Sequence, residues 1–480
     1  MTSNDTARPR NGRSLGRGSR RPADLIGALE IDTRLLGMAA ALIVIWIGFH
    51  FLSGGTFLTA RNLWNLSVQT AVTAIVATGM VLVIVTRNID LSVGSVLGVL
   101  GMVMAVVQTE WLPNYLGYGH PIIWIAALVA GIVGGALIGA LQGFWISYGK
   151  VPSFIVTLGG LLIWRGAAWW ITSGRTVAPM DDTFQLLGGG IDGSIGAFWS
   201  WAVGAIAILY LLASTLRARQ LRGRYGFPTK PVWAELLVVG AGIVAVVGFV
   251  LVMNSQYRPE RTVAMEIVAE LVQGAEGDGE VSAKVQDLAA TFPAEAEGMI
   301  AQLPDSRADL VRLLQDWEGL PDIPQGIPIP VLIMLGVALA MNFLAGRTKF
   351  GRYVFAIGGN PDAALLAGVN TRRVILYVFM LMGVLAAIAG AVQTARLNAG
   401  ANATGALLEL SAIAAAVIGG TSLAGGVGTI VGALLGALVM QSLQSGMLLM
   451  NIDTPLQQIV IGLVLIAAVY IDTVYQRKRR

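Results

Sequence analysis

The amino-acid sequence predicts an all-α polytopic membrane protein with about twelve transmembrane helices. Hydrophobic residues make up 55% of the chain and charged residues only 12%, whereas soluble domains usually contain about 25% charged residues. The mean hydropathy is +0.71. Apolar stretches of about 20 residues, the length that crosses a hydrocarbon core as a helix, recur along the chain. No stretch shows the alternating pattern of a membrane β-barrel.

Twelve apolar stretches are predicted to cross the membrane. Lys and Arg stay preferentially on the cytoplasmic side of a bilayer, and the loops 217–230 and 347–373 carry five basic residues each. A chain that starts inside returns inside at both loops and ends inside, so we expect both termini in the cytoplasm and the protein in the bacterial inner (plasma) membrane. Basic clusters at helix ends indicate contact with the lipid bilayer and not with nucleic acid. The stretches are 35–53, 67–86, 92–109, 121–147, 153–173, 196–216, 232–254, 327–346, 374–395, 406–424, 428–447 and 456–475.

Charge divides the chain into five parts. Residues 255–326 contain 14 acidic and five basic residues, and the count of spans places them outside. Apolar residues at helical spacing near 263–271 and 310–317 predict two short amphipathic helices. This insert is either a solvated segment or a docking site for an external partner. The five parts are a basic cytoplasmic tail (1–33), a first transmembrane half (34–254), the acidic extracytoplasmic insert (255–326), a second transmembrane half (327–476) with a cytoplasmic coupling loop (347–373), and a basic cytoplasmic tail (477–480).

Glycines recur every four residues in two of the apolar stretches. Small residues at this spacing share one helix face and let a neighbouring helix approach closely. The two stretches also read alike, which fits duplicated halves as an alternative explanation. The glycines are Gly131, Gly135 and Gly139 in one stretch and Gly428, Gly432 and Gly436 in the other.

Several kinds of chemistry are excluded by what the sequence lacks. The chain has no cysteine, so disulfides, thiolate catalysis and Cys-type metal sites are excluded. His50 and His120, the two histidines, lie near the ends of apolar stretches, which does not suit a zinc site. No glycine-rich phosphate loop ending in Lys-Ser or Lys-Thr occurs. We therefore expect a membrane subunit that is not an enzyme and holds neither a cofactor nor a metal.

Polar residues within apolar stretches are the candidates for a transport pathway. The break at 87–95 is either a tight cytoplasmic turn or a discontinuous helix that opens on the pathway, since irregular backbone at depth needs protein or water around it. Arg165 forms a structural ion pair or lines the pathway, and Glu409 is interfacial or faces the pathway. Amides suit neutral polyols, but they also join helices. The candidates are Asp90, Ser92, Gln142, Arg165, Glu409 and Gln441, and further amides within helices are Asn342, Gln393 and Gln444.

Four segments, in the same order along the chain, resemble the membrane permease of monosaccharide ABC importers of the ribose/xylose/galactose group. They are residues 89–95 (IDLSVGS), 150–158 (KVPSFIVTL), 350–361 (FGRYVFAIGGNP) and 414–428 (AAAVIGGTSLAGGVG). The resemblance runs from about 35 to 475, except for the acidic insert, and it is closest to the xylose permeases. The basic loop 217–230 with the extra span after it, and segment 172–179 (TSGRTVAP), are features of that subgroup. The chain departs from the family at Ser411, where an Asp is frequent, and near Asn88, where an acidic residue is frequent.

The resemblance implies the type II ABC importer permease fold, and a homodimer that works with two cytoplasmic ABC ATPase subunits and a periplasmic sugar-binding protein. Alternating access driven by ATP in the partner would then import a monosaccharide, with D-xylose expected. The alternatives are a secondary sugar transporter driven by an ion gradient, although the chain has no series of intramembrane carboxylates, and a receptor that uses the insert as its ectodomain. The residues implied in ATPase coupling are Gly351, Arg352, Gly358, Gly359, Asn360, Pro361 and Asp362.

Overall fold

The structure is a computed structural model, which describes residues 33–259, 262–263 and 322–477. The predicted tails and the two helices predicted in the insert lie outside these residues, apart from positions 33, 262–263 and 477. The described helices of six or more residues are α1 (Thr33–Leu52), α2 (Ala60–Val85), α3 (Val93–Val106), α4 (Ile122–Ser147), α5 (Ser153–Thr172), α6 (Gly196–Arg224), α7 (Val232–Asn254), α8 (Ile329–Arg347), α9 (Lys349–Gly359), α10 (Pro361–Leu366), α11 (Thr371–Leu397), α12 (Leu408–Ile418), α13 (Ile430–Leu449) and α14 (Thr454–Arg477). Within the same residues, extended segments pair only as isolated bridges.

Ten of the described helices are long and apolar enough to cross a membrane, which confirms the prediction of an all-α polytopic membrane protein. They are α1 to α8, α11 and α13, with α3 extended through Leu116. The other two predicted spans, 406–424 and 456–475, correspond to shorter apolar helices in α12 and α14. α12 has 11 residues and reaches about 16 Å, roughly half of a hydrocarbon core. It stops early because Gly420 takes a left-handed conformation, with φ +88°.

Helices at the centre of the protein are buried on all sides, and those at the periphery are not. The apolar part of α2 is 94% buried, whereas that of α6 is 11% buried. α11 packs against α2, α3 and α4, and α12 packs against α2 and α13. α6 and α7 pack mainly on each other and leave side chains such as Leu209 and Val244 exposed. Lipid tails can cover such apolar faces at no cost, so peripheral helices need no protein partner there.

Close contact between α4 and α11 depends on the glycines that the sequence singled out. A Cβ at Gly135 would overlap the backbone of Gly383, and one at Gly139 would lie 2.8 Å from Cα of Met380. The second set behaves in the same way, since a Cβ at Gly436 would overlap the backbone of Ala415 in α12. The predicted role in close helix packing is confirmed for Gly135, Gly139, Gly432 and Gly436. Gly131 faces the side chain of Met104, and Gly428 lies before the start of α13 and not on its face.

The two ends of the acidic insert meet beside the first turn of α2. The backbone N–H of Arg258 donates to the carbonyl of Ile323 (2.9 Å), and that of Gln325 donates to Gln256 (2.8 Å). The indole N–H of Trp64, near the start of α2, donates to the carbonyl of Gly326 (3.0 Å). The last turn of α2 contacts α9 instead. We call these the insert end and the α9 end of α2.

We expect Gly139→Leu to destabilise the protein. The new side chain would overlap the α11 backbone at Phe379 and Met380, and overpacking of this kind costs about 1–3 kcal/mol. Gly166→Leu in α5 is the matched control, since nothing lies within 4 Å of a Cβ there. Thermal unfolding in detergent should show a lower midpoint for Gly139→Leu alone. Equal midpoints would contradict backbone contact between α4 and α11 at this position.

Candidate functional site

A cavity of about 370 Å³ lies between α2, α3, α11, α12, α13 and α14. Its volume falls in the range of small-molecule sites, about 300–1,000 Å³. α2 lines it with Gln69 and Thr73, and α14 lines it from Thr454, the first residue of that helix. Gln69 and Thr73 lie around the middle of the 26-residue helix α2, so the cavity is slightly closer to the insert end than to the α9 end.

Side-chain amides provide most of the polar lining of this cavity. An amide presents both donors and acceptors, and a sugar hydroxyl does the same. The remaining walls are largely apolar, with Leu97, Leu407 and Ile461 among them. Amides set in apolar walls suit a ligand that has many hydroxyls and no charge. The glutamines in the lining are Gln69, Gln393, Gln441, Gln444, Gln457 and Gln458.

Hydrogen bonds hold several of these polar groups in place. Nε2 of Gln441 donates to Oε1 of Gln69 (3.0 Å), and the hydroxyl of Thr73 donates to Oε1 of Gln441 (3.3 Å). Nε2 of Gln444 donates to the hydroxyl of Ser411 (3.2 Å). The amides therefore join α2 to α13 and α13 to α12 while they line the cavity. A ligand would meet groups whose orientation is fixed before it binds.

Charge is scarce in the cavity. Among the described residues that line it, Arg396 of α11 is the one charged side chain, and none is a carboxylate. Across the rest of the described ranges, no group of three or more His, Cys, Asp or Glu residues could hold a metal ion. A neutral ligand can thus leave water for this cavity without facing a buried anion, which would be costly to desolvate.

Asp90, Ser92 and Gln142 come together at a different place, in the break between α2 and α3. Oδ1 of Asp90 accepts from the backbone N–H of Ser92 (2.8 Å) and from its hydroxyl (2.6 Å). Nε2 of Gln142 in α4 donates to the same hydroxyl (2.9 Å). The crevice beside Asp90 and Gln142 has no room for a water molecule. The break is packed inside protein, and Asp90 and Ser92 order the start of α3.

Glu409 and Arg165 lie on the α3 side of α12, away from the cavity. The Glu409 carboxylate rests against Gly94, where a Cβ would overlap it, while Leu408 and Leu410 on either side of Glu409 line the cavity. The charges of Arg165 and Asp90 both act on Glu409. Of the six candidate pathway residues, only Gln441 lines the cavity. A pathway role for the other five stays a prediction.

The coupling loop folds into α9 and α10, joined at Asn360. The hydroxyl of Thr348 accepts from the backbone N–H of Gly351 (3.1 Å) and caps the start of α9. Oδ1 of Asn360 accepts from the N–H of Ala363 (3.0 Å) and caps α10, whose first residue is Pro361. A polar cap followed by Pro at the first helical position is a strong start signal. The sequence therefore specifies two short helices that are separated at Asn360.

The predicted coupling residues divide into buried and exposed sets. A Cβ at Gly351 would overlap carbonyl oxygens at the end of α8, and one at Gly358 would overlap the carbonyl of Val85 at the end of α2. These two glycines seat α9 on its neighbours. Leu366, the last residue of α10, is 89% exposed. The exposed or half-buried residues of the predicted set are Arg352, Gly359, Asn360, Pro361 and Asp362.

Three glutamines and two arginines line the cavity or join helices, although the sequence did not predict them as site residues. Gln69, Gln457 and Gln458 line the cavity with Gln441, and an amide inside an apolar helix is the signal that would have added them. Arg396 lines the cavity from the last turn of α11. Arg87 donates to the end of α9. The sequence placed Arg87 in the polar break 87–95, but nothing in the sequence indicated its partner on α9.

Comparisons with known proteins identify the family. The family described as branched-chain amino acid transport system / permease component matches residues 62–222 and 183–469. The xylose transport system permease protein XylH of Escherichia coli K12 is 36% identical over 452 residues, covering 94% of this chain and 95% of that protein. XylH of Haemophilus influenzae Rd is 37% identical over 449 residues, with 94% and 98% covered.

A ribose permease is a more distant relative. The ribose import permease protein RbsC of E. coli K12 is 29% identical over 416 residues, covering 87% of each chain. No solved structure matches this chain. The resemblance to sugar permeases that the motifs indicated is confirmed, since the relatives at 36–37% identity extend over nearly the whole length. The chain therefore belongs to the family of branched-chain amino acid transport system / permease components, and it is a multi-pass membrane subunit of a transport system.

Proposed function

We propose that this chain is the permease subunit of an ABC importer that carries a monosaccharide, D-xylose, across the bacterial inner membrane. The observation that carries the proposal is the cavity lined by six glutamines. Amides can pair with each hydroxyl of a pentose as donor and as acceptor. The relatives named as xylose permeases, similar over 94% of this chain, support the choice of pentose.

The same cavity favours ATP-driven import over an ion-gradient mechanism. Coupling to protons or cations needs carboxylates that titrate or coordinate the ion on the transport path. Among the described lining residues no carboxylate is present. Asp90 and Glu409 lie outside the lining, packed around α3. The energy for transport would then come from outside the chain, which is the task of an ATPase partner.

The expected partners are two cytoplasmic ABC ATPase subunits, a periplasmic sugar-binding protein and a second copy of the permease. The segment α9–α10 is the proposed ATPase dock, with both chain termini on the same, cytoplasmic side. Three features support this: five basic residues in loop 347–373, the highly exposed Leu366, and buried glycines that seat α9 against the protein. Leu365, next to Leu366, is also exposed (61%), and contiguous exposed apolar groups rimmed by polar residues are typical of a contact for another protein.

Reconstituted transport tests the function. Proteoliposomes that contain this chain, its candidate ATPase and its candidate binding protein should accumulate labelled xylose only when ATP and both partners are present. Unlabelled xylose should compete, and ribose or galactose should not. Accumulation of another sugar would refute the choice of xylose while keeping the importer. An ionophore that abolished uptake with ATP intact would favour the secondary transporter.

We expect Gln441→Leu to lower the rate of sugar uptake by roughly tenfold or more, since it deletes a fixed amide of the cavity and hydrogen bonds worth about 0.5–1.5 kcal/mol each. The matched control is Asn342→Leu, which removes an exposed amide of α8. Initial uptake rates, with thermal midpoints measured alongside, separate loss of transport from loss of folding. Unchanged uptake by Gln441→Leu would remove the cavity from the transport path.

The proposed ATPase dock can be mapped with Leu366→Cys. The chain has no cysteine of its own, so a membrane-impermeant maleimide reports on this position alone. We expect labelling in inside-out vesicles, and protection when the ATPase is added. Tyr257→Cys, at the base of the insert and 45% exposed, is the control and should be labelled only in right-side-out vesicles. The reverse pattern would overturn the proposed orientation, and labelling unaffected by bound ATPase would overturn the dock.

A further inference from the structure

The last turn of α2 ends with an arginine in a conformation that usually requires glycine. Arg87 has φ +62°, the left-handed conformation. Its backbone N–H donates to the carbonyl of Ile84 (2.8 Å), and the N–H of Asn88 donates to Val83 (3.1 Å). These two bonds form a Schellman motif, in which glycine is the common residue at this position. A non-glycine residue keeps such a strained backbone conformation only where the surrounding contacts hold it in place.

The side chain of Arg87 caps the C-terminal end of α9. Nε donates to the carbonyl of Gly358 (2.8 Å), and Nη2 donates to the carbonyl of Gly359 (2.9 Å). The last carbonyls of a helix have no partner within the helix, and the negative end of the helix dipole favours a cation there. The planar guanidinium reaches both carbonyls at once, which an ammonium group does not do with the same geometry.

A third segment, the loop between α12 and α13, closes this junction. The backbone N–H of Gly426 donates to the carbonyl of Val85 (3.0 Å). A Cβ at Gly358 would lie 2.5 Å from the nitrogen of Gly426, and one at Gly425 would lie 2.5 Å from Cγ of Arg87. Three backbone segments therefore meet directly at Val85, Gly358 and Gly426, with the Arg87 side chain packed beside them against Gly425. Such a contact transmits displacement from one segment to the next, because closely packed protein has low compressibility.

α2 connects this junction to the cavity. Thr73, which lines the cavity, precedes Arg87 by 14 residues, or about 21 Å along the helix. We propose that Arg87 is a positioning residue that fastens the end of α9 to α2, so that movement of α9–α10 displaces α2 as a rigid body and reshapes the cavity wall at Gln69 and Thr73. The inference rests on the proposed role of α9–α10 as the ATPase dock.

The test is Arg87→Gly in the reconstituted complex. Glycine suits the left-handed position, so the backbone motif is kept while both hydrogen bonds to α9 are lost. We expect ATP hydrolysis stimulated by the binding protein to stay within about twofold of wild type, and sugar uptake per ATP to fall by about tenfold. Arg87→Lys keeps the charge but cannot donate to both carbonyls in the same geometry. Its sugar uptake per ATP should lie between those of the wild type and Arg87→Gly. Arg175→Gly, which deletes an exposed guanidinium paired with Glu110, is the control and should leave the ratio unchanged.

Three results would overturn the inference. One is an unchanged ratio of uptake to ATP hydrolysis in Arg87→Gly. Another is a parallel loss of uptake and hydrolysis together with loss of the bound ATPase, which would make Arg87 part of the dock itself. The third is a lowered thermal midpoint that accounts for the lost uptake. Failure of the wild-type complex to import any sugar with ATP would refute the proposed importer function. Normal import by the wild type with any of the three results above would refute the role of Arg87 alone.

Discussion

Direct backbone contact between helices is the interaction on which the rest of this structure depends. Within a bilayer, burial of apolar side chains drives association weakly, because lipid tails are as apolar as leucine, so helices hold together through close packing. The α4–α11 contact at Gly139 and the α12–α13 contact at Gly436 leave no space for a Cβ. The junction at Gly358 repeats this outside any regular helix pair. Because no glycine side chain separates the backbones at these points, two helices in contact are expected to move together.

This packing also allows irregular backbone near the centre of the protein. Polar groups of a broken helix must find partners in protein, because hydrocarbon offers none. Asp90 accepts from Ser92 in the break after α2, and the loop after α12 donates from Gly426 to Val85. The left-handed conformation of Arg87 costs roughly 1–2 kcal/mol, which the two hydrogen bonds of its guanidinium to α9 are positioned to offset. Strain and compensation thus lie in one residue.

The sequence was sufficient for whatever depends on neighbours along the chain. Hydropathy located the ten described helices that are long enough to span and predicted two further spans where α12 and α14 are shorter. Glycine spacing identified the close helix faces at Gly139 and Gly436, and the Asn360-Pro361 pair marked the start of a short helix. The cavity depends on which faces of six helices meet, and one sequence does not reveal this. Gln441 was therefore indistinguishable from Gln142, although one lines the cavity and the other bonds to Ser92 in a dry crevice. The partner of Arg87 lies 271 residues away, beyond the reach of any local pattern.

The positions of the cavity and the α9 junction along α2 determine how the protein can work. A site at the middle of α2 and a contact at its α9 end are both attached to one helix that is almost entirely buried. Local bending is restricted there by packing on α8, α11, α12 and α13. A force applied at the α9 end therefore reaches the cavity as translation or tilt of the whole helix. Gln441 of α13 donates to Gln69 and accepts from Thr73, both on α2. Movement of α2 relative to α13 would therefore strain hydrogen bonds in the cavity wall itself.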